Sequence, residues 1–344
     1  MSVCSTELLN YDNMTDAQIE QFTGILKNQG LTNITLRLPV YSGQVSAAYV
    51  SVSKKLIAAA NGKGIKSNVD FHTWNKTANE TANPFTWSGR SADYGTAVSA
   101  FCEAATNHAQ IRANYEQLLK TYVPVFDVDG VQAFHILNEP QYKKATQGEN
   151  QWILKIIALV HGLTAKPISI RFMGGATPTS GHYEPAIDEA TDFLCANVYG
   201  TAPNFSYGVT VDKLLARIAR AKSLNREIWI TEFGDKSTDQ TAQANSIKTT
   251  LAYFKEKGIN RASCFASQPS RTGEPYNIFS GFTPKKAFYE LKTDSPIEPP
   301  IPDPDPEPDP NPEPEPDTPY LPLAVLIVGV TVLTALVLKG SVKK

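Results

Sequence analysis

From residue 3 to about residue 292 the chain alternates between two hydrophobic rhythms. Short, mostly apolar runs bounded by turn-forming residues read as strands: CSTELLN (4–10), NITLRLPV (33–40), KSNVDFHTW (66–74), VQAFHILNE (131–139), PISIRFMG (167–174), DFLCANVYG (192–200), REIWITEFG (226–234) and INRASCFAS (259–267). Between several of them, apolar residues recur at helical spacing. TDAQIEQFTGILKNQG puts Ile19, Phe22, Ile25 and Leu26 on one face and stops at Gly30, a residue suited to closing a helix. SAAYVSVSKKLIAAANGKG, NQWILKIIALVHGL, TVDKLLARIARAKSL and TAQANSIKTTLAYFKEKG follow the same pattern. Strand–helix alternation repeated eight times, with strands of buried type, predicts an α/β fold, the closed (β/α)8 TIM barrel. An open doubly wound sheet is the alternative. No GxGxxG or GxxxxGK[ST] turn supports it.

The pattern changes after the barrel. Residues 294–320 contain SPIEPPIPDPDPEPDPNPEPEPDTP, in which proline alternates with acidic residues. Such a run has nothing to bury and stays extended by ring stiffness and charge repulsion. It predicts an acidic, proline-rich linker. Residues 321–338, LPLAVLIVGVTVLTALVL, carry no charge and match the length of a membrane-spanning helix; residues 339–344 form a short basic tail. Lys339, Lys343 and Lys344 predict that this tail is cytoplasmic and that the domain at 1–293 is extracellular, on a single-pass cell-membrane anchor. The opening MSVCSTELLNYD has no apolar core of the kind an export signal needs. Sequons at Asn13, Asn33, Asn75, Asn79 and Asn204 agree with an exported domain.

Composition narrows the function by exclusion. Of the 344 residues 42% are hydrophobic and 19% charged, enough for a large core, and a net charge of −2 offers no footprint for nucleic acid. The cysteines at 4, 102, 195 and 264 form no CxxC pair, so buried thiols are expected, with no metal and no cofactor. A monomeric catalytic domain is expected.

The chemistry lies at the strand ends. FHILNEP (134–140) runs from apolar residues into an amide, a carboxylate and a proline that ends the ladder. Other strands finish in the same way, with Arg37 on the second, Asp70 and His72 on the third, Asn197 and Tyr199 on the sixth and Glu232 on the seventh. In a TIM barrel these are the C-terminal ends, where active sites sit. Glu139 and Glu232 end the fourth and seventh strands and face each other across the mouth. At about 5–5.5 Å two such carboxyls perform retaining glycoside hydrolysis. Arg37 would keep a neighbouring carboxylate ionised, Tyr199 would orient it, and Asn138 would bind a sugar hydroxyl.

The set LRLPV, VDFHTW, HILNEP and WITEFG resembles clan A glycoside hydrolases, most closely family 5, the cellulases and mannanases. The resemblance covers about residues 3 to 292. It implies Glu139 as general acid/base, Glu232 as nucleophile, and Arg37, His72, Asn138 and Tyr199 lining the cleavage subsite. Two positions depart from the family: Asn197 stands where His is usual, and CFASQ lacks the usual tryptophan, leaving Phe265 or Gln268 for its place. The loop VDFHTWNKTANETANPFTW is also similar to that of family 53 galactanases. Trp74, Trp87 and Tyr142 are candidate sugar platforms, since a pyranose presents an apolar face to an aromatic ring. His135, Trp152 and Trp229 read as core, and Asp127 and Asp129 as turn residues. The expected substrate is a β-linked polysaccharide of cellulose or β-glucan type, with mannan or galactan as alternatives. A catalytically inactive surface glycan-binding protein is the alternative of another class.

Overall fold

The computed structural model describes residues 3–41, 44–72, 109–138, 147–171, 185–208, 210–267, 269 and 276–291. All of them fall within the unit Met1–Pro296. The proline-rich linker and the apolar segment at 321–338 lie outside the described residues. Among the described residues no helix is long and apolar enough to cross a membrane.

Eight strands run parallel: β1 (Val3–Leu8), β2 (Asn33–Tyr41), β4 (Lys66–His72), β5 (Val131–Asn138), β6 (Ile168–Arg171), β7 (Leu194–Thr201), β9 (Ile228–Gly234) and β10 (Arg261–Ser267). Their order in the sheet is β6-β5-β4-β2-β1-β10-β9-β7, so the sequence order closes on itself. Between β6 and β7 no ladder forms among the described residues. The seam is drawn together by Asp192 N donating to Ile168 O at 3.0 Å and Ser169 Oγ donating to Phe193 O at 2.6 Å. The result is a (β/α)8 barrel. Short β3 (Gln44–Val45) and β8 (Asn204–Gly208) add hairpins to β2 and β7, and β11 (Phe279–Ser280) pairs with β12 (Thr283–Pro284).

The helices are α1 (Asp16–Asn28), α2 (Ala47–Gly62), α3 (Ala109–Phe126), α4 (Gln147–His161), α5 (Pro185–Ala190), α6 (Val211–Ser223) and α7 (Gln240–Glu256). α1 begins with a capping box, Thr15 N donating to Gln18 Oε1 at 2.9 Å, and ends at Gly30 with φ 78°. Helix α3 is not among the helices that the sequence pattern predicts. Its stripe of Tyr115, Leu118, Leu119 and Tyr122 has helical spacing, but Pro124 lies inside the last turns and disguises the pattern.

Each of the eight barrel strands is buried on both faces over most of its length, yet the faces differ. Ile34, Leu36, Leu38 and Val40 on β2, Val69 and Phe71 on β4, and Phe134 and Ile136 on β5 belong to the main apolar core. The alternate positions are polar and equally buried: Ser5 and Glu7, Asn33, Thr35 and Arg37, Asn68, Asp70 and His72, Ser169 and Arg171. Side chains alternate across a strand, so the apolar set packs under the helices and the polar set lines the barrel, together with a small cluster of Ala133, Phe193, Cys195 and Trp229. This interior departs from the branched aliphatic filling usual in such barrels. The hydrophobic core is therefore a ring between strands and helices. Phe134 is fully buried there and stacks on Phe71 with ring centroids 6.2 Å apart. Phe134→Ala should cost about 3–5 kcal/mol of stability, read as a lower urea midpoint with unchanged slope.

Candidate active site

Alternation alone does not place the strand-end residues. On β5, His135 faces inward with Ala133, so simple alternation would send Asn138 outward. The β5–β6 register shifts between His135 and Asn138, which restores the inward direction. On β9 the same device acts: Ala196 pairs with Ile230, but Asn197 pairs with Glu232, skipping Thr231. Two irregularities thus aim Asn138 and Glu232 into the barrel. Gly234 stands two residues beyond Glu232, and a Cβ built there would stand 2.4 Å from the Phe265 carbonyl oxygen. Only glycine lets β9 and β10 approach this closely beside Glu232.

Glu232 is fully buried. Its Oε1 accepts from Arg37 Nη2 at 2.9 Å and from Arg171 Nη2 at 2.5 Å, and its Oε2 accepts from the Tyr199 hydroxyl. Beneath it lies a second carboxylate that sequence reasoning missed. Glu7 on β1 accepts from Arg37 Nε at 2.5 Å and from Arg171 Nη1 and Nη2 at 3.2 and 2.8 Å. Arg171, also missed, is 0% exposed and donates further to Asp70 Oδ2 at 2.5 Å and to the Thr231 carbonyl at 3.1 Å. One signal for both was present in the sequence: each is a lone charge inside an otherwise buried-type strand run.

The protonation states follow from this wiring. Burial favours the neutral form of Glu7, but Arg171 and Arg37 outweigh it and hold the carboxyl below its ordinary range. Burial likewise opposes ionisation of Asp70, and Arg171 with His72 overrules it. Burial works against a charged Arg171, yet Asp70, Glu7 and Glu232 raise its affinity for the proton well above normal. The histidines go the other way. Burial and the nearby Arg37 lower His72 to about 4, and burial with Arg171 lowers His135 to about 3. Both are neutral at pH 7. His72 Nδ1 stands 3.6 Å from Asp70 Oδ2.

The predicted residues divide as follows. Arg37, Tyr199 and Glu232 meet in one hydrogen-bonded cluster, and His72 joins it through Asp70. Asn138 is 1% exposed, and its amide oxygen and nitrogen have no hydrogen-bond partner among the described residues. Asn197 is buried on β7 and accepts from Thr231 Oγ1 at 2.7 Å, a structural bond that braces the β9 irregularity. Phe265 lies at the end of β10, its ring 4.9 Å from the Arg37 guanidinium and edge-on to Tyr199. Trp152 and Trp229 are buried, as is His135, which sits edge-on to Phe193 and Trp229. Glu139, Trp74, Trp87, Tyr142 and Gln268 lie outside the described residues.

Comparisons with known proteins point to one class of barrel. Residues 188–286 match the family described as glycosyl hydrolase catalytic core, a stretch that holds Tyr199 and Glu232. No curated protein matches the sequence. Among solved structures, the chain resembles an endo-1,4-β-D-mannanase from Thermotoga petrophila at 15% identity, covering 82% of this chain and 94% of that one with a TM-score of 0.57. It resembles an endo-β-1,4-glucanase from Xanthomonas axonopodis pv. citri at 13% identity, covering 84% and 96%, with a TM-score of 0.56. A third likeness is to endo-glycoceramidase II from Rhodococcus sp., at 14% identity, covering 84% and 78%, with a TM-score of 0.60. At such identities the likeness is one of fold.

The buried ionisable groups make stability depend on pH with a definite sign. His72 and His135 bind protons less well folded than unfolded, so their contribution is complete above about pH 6.5 and is lost as pH falls toward 4 and 3. Glu7 and Asp70, whose carboxyls are depressed, add a further loss below about pH 4. Between pH 7 and 5 each histidine should cost about 2 kcal/mol. Urea unfolding across that range should show the decline, and His135→Gln should remove about half of it.

Proposed function

We propose that the protein is a retaining, endo-acting glycoside hydrolase cleaving a β-linked polysaccharide of glucan type, with Glu232 as nucleophile and Glu139 as acid/base. The observation that carries this reading is the Glu232 carboxylate, buried at the C-terminal end of a barrel strand and gripped by two guanidiniums and a tyrosine hydroxyl. A carboxylate in water needs no such support. One held ionised in a dry, preorganised site is suited to attack a carbon that gains positive charge. The match of residues 188–286 and the fold shared with endo-mannanases, endo-glucanases and endo-glycoceramidase support the same reaction class.

In the first step a Glu232 oxygen bonds to the anomeric carbon as the glycosidic C–O bond breaks, and Glu139 gives its proton to the departing oxygen. Both guanidiniums anchor Oε1, so attack is assigned to Oε2, which the Tyr199 hydroxyl steers. In the second step Glu139, now a base, takes a proton from water as that water displaces Glu232. Asn138, whose amide has no hydrogen-bond partner among the described residues, would bind a sugar hydroxyl, and Phe265 would offer an aromatic face where the resemblance implies tryptophan.

The test is reducing-sugar release from cellulose, β-glucan, mannan, galactan and xylan. Glu232→Ala should abolish release while the protein stays folded, and azide should restore part of it with a product of inverted anomeric configuration. Turnover close to wild type in Glu232→Ala rules out the nucleophile assignment.

We further propose that residues 321–338 anchor the chain in the cell membrane with the barrel outside. A spacer of about 25 residues in polyproline II geometry reaches at most roughly 80 Å, far enough to meet a polymer too large to import. Acidic residues along it are repelled by anionic head groups. Protease added to intact cells should release an active soluble fragment. Protection of the barrel until lysis would mean the opposite orientation.

A further inference from the structure

Glu232 shares both of its arginines with a carboxylate that no step above uses. Glu7, on β1, takes Arg37 Nε and both terminal nitrogens of Arg171, and its side chain is fully buried. Asp70 on β4 takes Arg171 from the far side. A carboxylate facing two guanidiniums alone would be strongly ionised but poorly basic, and a weakly basic oxygen is a weakly reactive one. Glu7 withdraws donors and positive field from exactly those two groups.

We infer that Glu7, working through Arg171 and Arg37, is a positioning residue that sets the charge balance on Glu232 and so its reactivity. The inference deepens the glycosidase reading and rests on Glu232 as its nucleophile. The groups facing Glu232 come from every side. Arg37 stands on β2, Arg171 on β6, Tyr199 on β7 and Glu7 on β1, while Asp70 and the neutral His72 stand on β4 and the neutral His135 on β5. Glu139 lies outside the described residues. Among the described residues, Glu7 forms ion pairs with both arginines that pair with Glu232.

The alternative is that Glu7 merely neutralises buried arginines so that the barrel folds. The two differ in sign. Removing a negative charge at Glu7 should make Glu232 easier to ionise, and removing a positive charge at Arg171 should make it harder. The experiment is a carboxyl 13C titration of the full chain, with the Glu232 signal assigned by its loss in Glu232→Gln. The acid limb of kcat/KM on an activated aryl glycoside is followed in parallel. Glu7→Gln should lower the Glu232 midpoint by about one pH unit or more, and Arg171→Met should raise it by about as much. The double variant removes one charge of each sign and should return the midpoint close to wild type. Glu7→Asp, which keeps the charge, should do the same.

Midpoints that do not move, or that move the same way in both single variants, overturn the inference. If Glu7→Gln does not fold, Asp70→Asn takes its place: it strips a counter-charge from Arg171 without touching Glu232, and must lower the midpoint in the same direction. The two readings fail separately. Opposite shifts with no hydrolysis of any glycan sink the glycosidase and leave the charge balance standing. Glu232-dependent hydrolysis with unmoved midpoints does the reverse.

Discussion

Arg171 is a fully buried cation in the middle of a barrel, and the rest of the site is arranged around the cost of putting it there. Removing a guanidinium from water costs several kcal/mol, which is offset only when partners are close and well aligned. Three carboxylates from three strands provide that offset: Glu7, Asp70 and Glu232, each within 2.8 Å of an Arg171 nitrogen. Arg37 is a second cation between Glu7 and Glu232. With both histidines neutral, these five groups sum to one negative charge among the described residues. That residue of charge sits in a low-dielectric space, where it acts most strongly on any positive charge that develops nearby.

The same constraint explains why the barrel interior is not aliphatic. Below the charged groups, the inward positions of β1, β2 and β4 are Ser, Asn and Thr, while Ala133, Phe193, Cys195 and Trp229 pack as a small separate cluster around His135. Stability then has to come from elsewhere. It comes from the ring of Ile, Leu, Val and Phe between strands and helices, where Phe71, Phe134, Phe233 and Phe254 are fully buried. On β1, β2, β4 and β6 the two tasks separate by strand parity, with outward positions for stability and inward positions for the charged site.

Strand parity also marks what was legible in the sequence. The eight apolar runs gave all eight barrel strands, because β-branched and aromatic residues between turn signals leave few other readings. The polar strand ends drew attention to Arg37, His72, Asn138, Tyr199 and Glu232 for the same reason. Glu7 and Arg171 escaped because each lies inside its apolar run, where a lone charge reads as noise unless its partners across the barrel are known. Those partners are 164 residues apart in the chain, a pairing no local pattern carries. The two register shifts were equally hidden, since nothing in WITEFG tells that Thr231 is skipped so that Glu232 can turn inward. Helix α3 was missed for a local reason, a proline near its end.

The seam between β6 and β7 gives the barrel a preferred line of softness. Around the rest of the circumference, widening would have to stretch parallel ladders, in which several backbone bonds share the load. At the seam, among the described residues, the bonds are those of the Ser169 hydroxyl, the Asp192 amide, the Ile168 amide to the Asp192 carboxylate at 2.8 Å and Cys195 Sγ with Ser169 Oγ at 3.1 Å. One lip of that seam carries Arg171 and the other carries Tyr199 two residues beyond Asn197. Among the described residues, this seam separates two of the three groups that bond Glu232. Among the described residues, the grip on that carboxylate thus spans the slit, with Arg171 on one lip, Tyr199 on the other and Arg37 on the laddered side of the barrel.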